Sequence, residues 1–115
     1  MKVKTSELIG AALDWAVGDI EKMHRFGSFD DVDNFWRDED NRWFMPSTDW
    51  AQGGPIIERE EIYLNPNNGN DLWFAETTID GPRGEFGPTP LIAAMRCYVA
   101  NKLGDEIEIP DNLKQ

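Results

Sequence analysis

One cysteine and one histidine in 115 residues exclude a disulfide framework and leave no Cys/His set for a structural zinc ion. Long apolar runs are missing too; none approaches the roughly 18 residues of a membrane span. Basic residues are scarce, with 11 Lys and Arg against 22 Asp and Glu, for a net charge of -11. A chain this acidic suits neither a nucleic-acid backbone, where cations must replace released counterions, nor an anionic membrane surface. Its basic start, Met1-Lys2-Val3-Lys4, is followed by Glu7, Asp14 and Asp19, which is unlike a secretory signal. Internal repeats and low-complexity tracts are also lacking. These absences describe an acidic, soluble protein of a reducing compartment, with neither membrane nor direct nucleic-acid contact.

What is present suffices for one modest core. Hydrophobic residues make up 40% and charged residues 29%, so the expectation is a single domain over residues 1–115. Residues 5–24 read as a helix capped by Thr5 or Ser6, with Leu8, Ala12, Trp15 and Ala16 recurring at helical spacing. Gly10 suggests close packing there, and Gly18 an early end. Residues 26–55 form an irregular acidic segment whose Phe26, Phe29, Phe35, Trp36, Trp43 and Phe44 would pin it to the body. Residues 56–64 and 72–79 read as a hairpin around the Asn- and Gly-rich turn 65–71, followed by a flexible connection over 80–84. A second helix is framed by Thr89 as cap, Pro90 in first position and Gly104 as stop. Leu91, Met95, Tyr98, Val99 and Leu103 give it an apolar face, and Trp15 and Met95 are placed in the core. Ile107 and Ile109 suit a short edge strand. The fold class is therefore α+β, with two helices packed on a small, mainly antiparallel sheet.

Three segments carry a resemblance: Leu13-Asp14-Trp15-Ala16-Val17, Pro46-Ser47-Thr48-Asp49-Trp50-Ala51-Gln52-Gly53-Gly54-Pro55-Ile56-Ile57-Glu58-Arg59-Glu60, and Gly87-Pro88-Thr89-Pro90-Leu91-Ile92-Ala93-Ala94-Met95-Arg96. With them the chain resembles the NinX-like family of small proteins from lambdoid phages and enterobacterial prophages. The likeness runs from Leu8 to Pro110. It implies a phage accessory protein working in the host bacterial cytoplasm, and it brings no catalytic residue.

Two stretches stand out as ligand-site candidates. Ser47, Thr48, Asp49, Trp50, Gly53 and Gly54 combine directed polar groups, a flat ring and backbone open to close approach. The alternative is a turn in which Ser47 or Asp49 bonds local backbone while Trp50 fills the core. The second stretch is the helix start at Thr89, where free amides and the helix dipole can hold an anion. Residues 88–103 contain Arg96 and Lys102 but no acid, which favours that reading. Arg96 is a candidate to neutralise such an anion, or to pair with Glu58 or Asp49. Glu58 and Glu60 would share a face if they lay on a strand, but a solvated edge accounts for them more simply. Cys97 reads as a small buried thiol.

A third candidate faces a protein rather than a small molecule. Asp30, Asp31, Phe35 and Trp36 lie in a stretch that could imitate nucleic-acid phosphates and occupy a basic host site. No nucleophile–base pair, metal set or cofactor motif can be read, so the expectation is a non-enzymatic protein without cofactor or metal. The favoured function is binding of a nucleotide-like host small molecule, in the sense of sequestering a defence signal. The alternative is an acidic inhibitor of a host defence or regulatory protein. Either is compatible with a homo-oligomer.

Overall fold

The structure, a computed structural model, describes residues 1–25, 29–30, 35–37, 40, 42–67, 69–79, 83–111 and 113. Among the described residues the fold is α+β, with three helices and mainly antiparallel strands. Strand β1 (Lys2–Lys4) and a 3₁₀ turn over Thr5–Glu7 precede helix α1 (Gly10–Arg25). Two short strands, β2 (Phe29–Asp30) and β3 (Phe35–Trp36), pair with each other. Helix α2 (Trp50–Arg59) leads into strands β4 (Tyr63–Asn67), β5 (Leu72–Thr77) and β6 (Arg83–Gly87). These three form one antiparallel sheet in the order β4-β5-β6. Helix α3 (Pro90–Leu103) follows, and β7 (Glu106–Glu108) returns to pair with β1.

Helix α3 is the centre of the fold. Nine of its 14 residues, including Leu91, Ala94, Met95, Tyr98 and Val99, are buried. It has no broad polar face, and a helix apolar all round has to be covered all round. The sheet strands β5 and β6 cover one side, with α1, α2 and the 3₁₀ turn against the others. Thr89 caps it by accepting the Ile92 N–H, and Gly104, at φ 96°, ends it.

Three expectations change. Residues 50–59 are helical instead of loop and strand, giving three helices where two were expected. The Gly53-Gly54-Pro55 run argued for a turn, yet Asp49 caps the helix through Ala51 N–H and its carbonyl accepts from Gln52 and Gly53. Burial of Gln52, Gly53 and Ile56 then outweighs poor helical propensity. Gly53 is needed at this crossing, because a Cβ there would stand 2.5 Å from Pro46 O and 2.7 Å from Leu91 Cδ2.

Second, the hairpin begins at Tyr63, and Asn65, Pro66 and Asn67 belong to β4 rather than to the turn. The connection placed at 80–84 ends in a third strand, β6, whose Gly84 accommodates the Phe74 ring. A strand with two glycines in five residues carries little alternation to read.

Third, Gly18 does not end α1 and Gly10 does not serve close packing. Gly10 takes φ 60° at the helix start with no neighbour near its missing Cβ. Gly18 instead faces Trp36, which is only 8% exposed and donates its indole N–H to Trp15 O at 3.1 Å. Trp36 and Phe44 thus do tie the irregular segment to the core, while Trp15 is half-buried at its margin and Met95 is fully enclosed.

Gly18→Ala tests this contact. Alanine gains about 1 kcal/mol of helical propensity, but its Cβ would lie 2.0 Å from Trp36 Cδ1. Net destabilisation of about 1–3 kcal/mol is expected, read as a lower denaturant midpoint. A raised midpoint would show that Trp36 does not occupy this position.

A groove between helix α2 and helix α3

Residues 43–49 reach their position through two buried polar anchors. Gln52 accepts the Met45 N–H at 2.7 Å and donates to Trp43 O at 3.0 Å. Asp14, on α1 and 3% exposed, accepts the Ser47 N–H at 2.9 Å. Burial pushes the Asp14 carboxyl up to about 6, and hydrogen bonding from Ser47 offsets only part of that. The Ser47 residue is 2% exposed. Its hydroxyl favours the carboxylate charge from nearby, although among the described residues no atom stands in full hydrogen-bonding geometry with the buried Oγ.

These anchors bring residues 47–50 beside the start of α3. Ser47, Thr48 and Trp50 form one wall of an open groove of about 250 Å³, and Thr89, Pro90, Leu91 and Ile92 form the other. The two candidate stretches, some forty residues apart in sequence, are therefore neighbours. Trp50 is 54% exposed, so it does not fill the core. Thr48 Oγ1 stands 3.5 Å from Met45 O, long for a hydrogen bond.

The other candidates fall elsewhere. Asp49 is occupied as the α2 cap. Gly53 is packed under Pro46 and Leu91, and Gly54 faces open space. Arg96 is not in the groove: its Nε donates to Leu8 O at 2.8 Å and its Nη1 to Phe86 O at 2.9 Å. It joins the turn before α1 to strand β6, pairing with neither Glu58 nor Asp49. Its burial lowers the guanidinium, with Glu85 and Glu7 opposing. Glu58 and Glu60 lie at the end of α2 and share no strand face. Cys97 is buried. Of the protein-facing candidates, Trp36 is packed inward, whereas Asp31 and the side chains of Asp30 and Phe35 lie outside the described residues.

One cluster had no sequence signal. Arg59 holds both oxygens of buried Glu21, at 3.2 and 2.9 Å, and its Nε reaches Glu60 Oε2 at 3.0 Å. Tyr98 donates to Glu21 Oε2 at 2.7 Å, and Lys102 pairs with Glu60 Oε1 at 3.1 Å. The Tyr98 hydroxyl is raised by burial and by Glu21. The cluster ties α1, α2 and α3 together, and its five residues are spread from Glu21 to Lys102.

Fold and groove together describe a small α+β protein with an open cleft walled by Trp50 and the start of α3. Residues 4–102 match the family described as Bacteriophage P22, NinX, and the chain belongs to this phage NinX family. No curated protein matches the chain. Among the described residues, no helix is long and apolar enough to cross a membrane.

Two substitutions test these assignments. Asp14 has a folded value above its unfolded one, near 3.8. Its stabilising contribution is therefore complete below about pH 4 and is lost as pH rises through about 6. Asp14→Asn keeps an acceptor for Ser47 without the buried charge. It should remove a pH-dependent loss of about 3 kcal/mol between pH 4 and 7, measured as the difference between variant and parent unfolding curves. Parallel curves would place Asp14 in water. Arg96→Ala leaves the Leu8 and Phe86 carbonyls without their cationic donor and should cost on the order of 2 kcal/mol. Unchanged stability would mean that the guanidinium does not hold that strand edge.

Proposed function

We propose that this phage protein is a non-enzymatic accessory factor that binds a host small molecule in the groove between residues 47–50 and the start of α3. The observation that carries the proposal is Trp50, 54% exposed on the wall of a groove of about 250 Å³ whose other wall is the start of α3. An exposed indole next to directed polar groups is the usual arrangement for holding a flat ring by stacking and reading its edge by hydrogen bonds. Exposed Thr48 offers a hydroxyl that donates or accepts as the ligand requires. Sequestration of a nucleotide-derived signal in the host cytoplasm is the use that fits a phage accessory protein with such a groove.

Calorimetric titration with nucleosides and with mono-, di- and cyclic nucleotides tests the proposal. At least one should bind saturably, and Trp50→Ala should weaken it roughly 5- to 150-fold, the range of one lost base–aromatic stack. The variant should unfold at the parent's midpoint, since Trp50 is largely in water. Absence of heat from the whole panel, or binding indifferent to Trp50, would refute it.

A further inference from the structure

Resting on that reading, we infer that the groove takes a single uncharged nucleobase or nucleoside and selects against phosphate. Among the described residues, its walls contain no charged side chain. The start of α3 looks at first like an anion site, but its donors are largely spent. Pro90 has no N–H, and the N–H of Ile92 is given to Thr89 Oγ1 at 3.1 Å. The Ala93 N–H bonds Thr89 O at 3.0 Å. Of the first three helical positions, only Leu91 keeps an amide beyond these bonds, too little to hold a phosphate that normally takes several.

Among the described residues, no cation lines the groove to make up the deficit. Arg96 is committed to Leu8 O and Phe86 O, away from the groove. The carboxylate of Asp49 sits between Thr48 and Trp50 in sequence, at the cap of α2. The chain as a whole carries -11, so each phosphate brought to this surface meets repulsion. The groove is open and holds about 250 Å³, enough to cover one ring while the rest of a larger ligand stays in solvent. One ring system fits, with its plane on Trp50 and its edge toward Thr48 and the start of α3. In a nucleotide-derived signal the base would be the part recognised, with any phosphate left in solvent.

The test is a matched series on the full chain: adenosine, guanosine, cytidine and uridine, each beside its 5′-monophosphate and 5′-diphosphate, at low and high salt. At least one nucleoside should bind at least threefold more tightly than its monophosphate, and the diphosphate should be weaker again. The gap should narrow at high salt, because screening shortens the range of the repulsion. Tighter binding with each added phosphate would overturn the inference while leaving the groove as a ligand site, provided Trp50→Ala still weakens it. Nucleoside binding untouched by Trp50→Ala, or no binding by any compound, would overturn the inference together with the site.

Discussion

A helix without a broad polar face cannot lie on a surface, and everything else in this protein follows from enclosing α3. The inner side of β4-β5-β6, helix α1, helix α2 and the 3₁₀ turn each cover part of it. This also explains why residues 88–103 contain no acid. The stretch is charge-poor because it is the core, and its positive balance comes from two cations at the margins. Arg96 reaches out to two backbone carbonyls, and Lys102 reaches Glu60 at the far end. Long cationic side chains can leave a buried helix in this way, keeping the stem among apolar neighbours and the head with its partners.

The Glu21–Arg59–Tyr98 cluster complements that enclosure. Buried ion pairs seldom add much net stability, because desolvation offsets the attraction. They do penalise misplacement, since moving one helix would strand a buried carboxylate. The cluster therefore fixes the C-terminal end of α2 against α1 and α3. Gln52 and the Asp14–Ser47 bond fix the segment leading into its N-terminal end. Held at both ends, α2 presents Trp50 at a set distance from α3, so the groove is shaped by the fold itself and would be ready for the proposed ligand. Preformed sites avoid much of the ordering cost of binding.

How much was legible in the sequence depended on whether local signals agreed with tertiary ones. Helix α3 announced itself through Thr89, Pro90 and Gly104, and α1 through its apolar spacing, because there propensity and burial coincide. Helix α2 was hidden because Gly53, Gly54 and Pro55 are local breakers, kept helical by a cap and by packing against Pro46 and Leu91. Strand β6 was hidden because Gly84 and Gly87 make room for Phe74 and α3 and so erase the alternation. For the groove, residue chemistry pointed to Ser47, Thr48, Trp50 and Thr89. It misjudged Arg96, whose partners are main-chain carbonyls that no side-chain pattern reveals. The Glu21, Arg59, Glu60, Tyr98 and Lys102 cluster joins positions up to 81 apart, and nothing local marks it.

The five tryptophans sharpen the case for the groove. Trp36 is packed on Gly18, and Trp15 and Trp73 lean on the core. Trp43 is exposed, but Arg37 lies over its ring at 5.9 Å. Trp50 differs: it opens α2, more than half of it faces water, and among the described residues neither ring nor cation stacks on it. The first turn of α2 already has its cap in Asp49, and tryptophan has no special propensity for a helix start. Folding therefore gives little reason for an indole at this position, since a smaller polar residue would leave less apolar surface in water. Its place on the wall of a cleft, facing a helix end whose amides are already largely used, is what the proposed stacking role would account for.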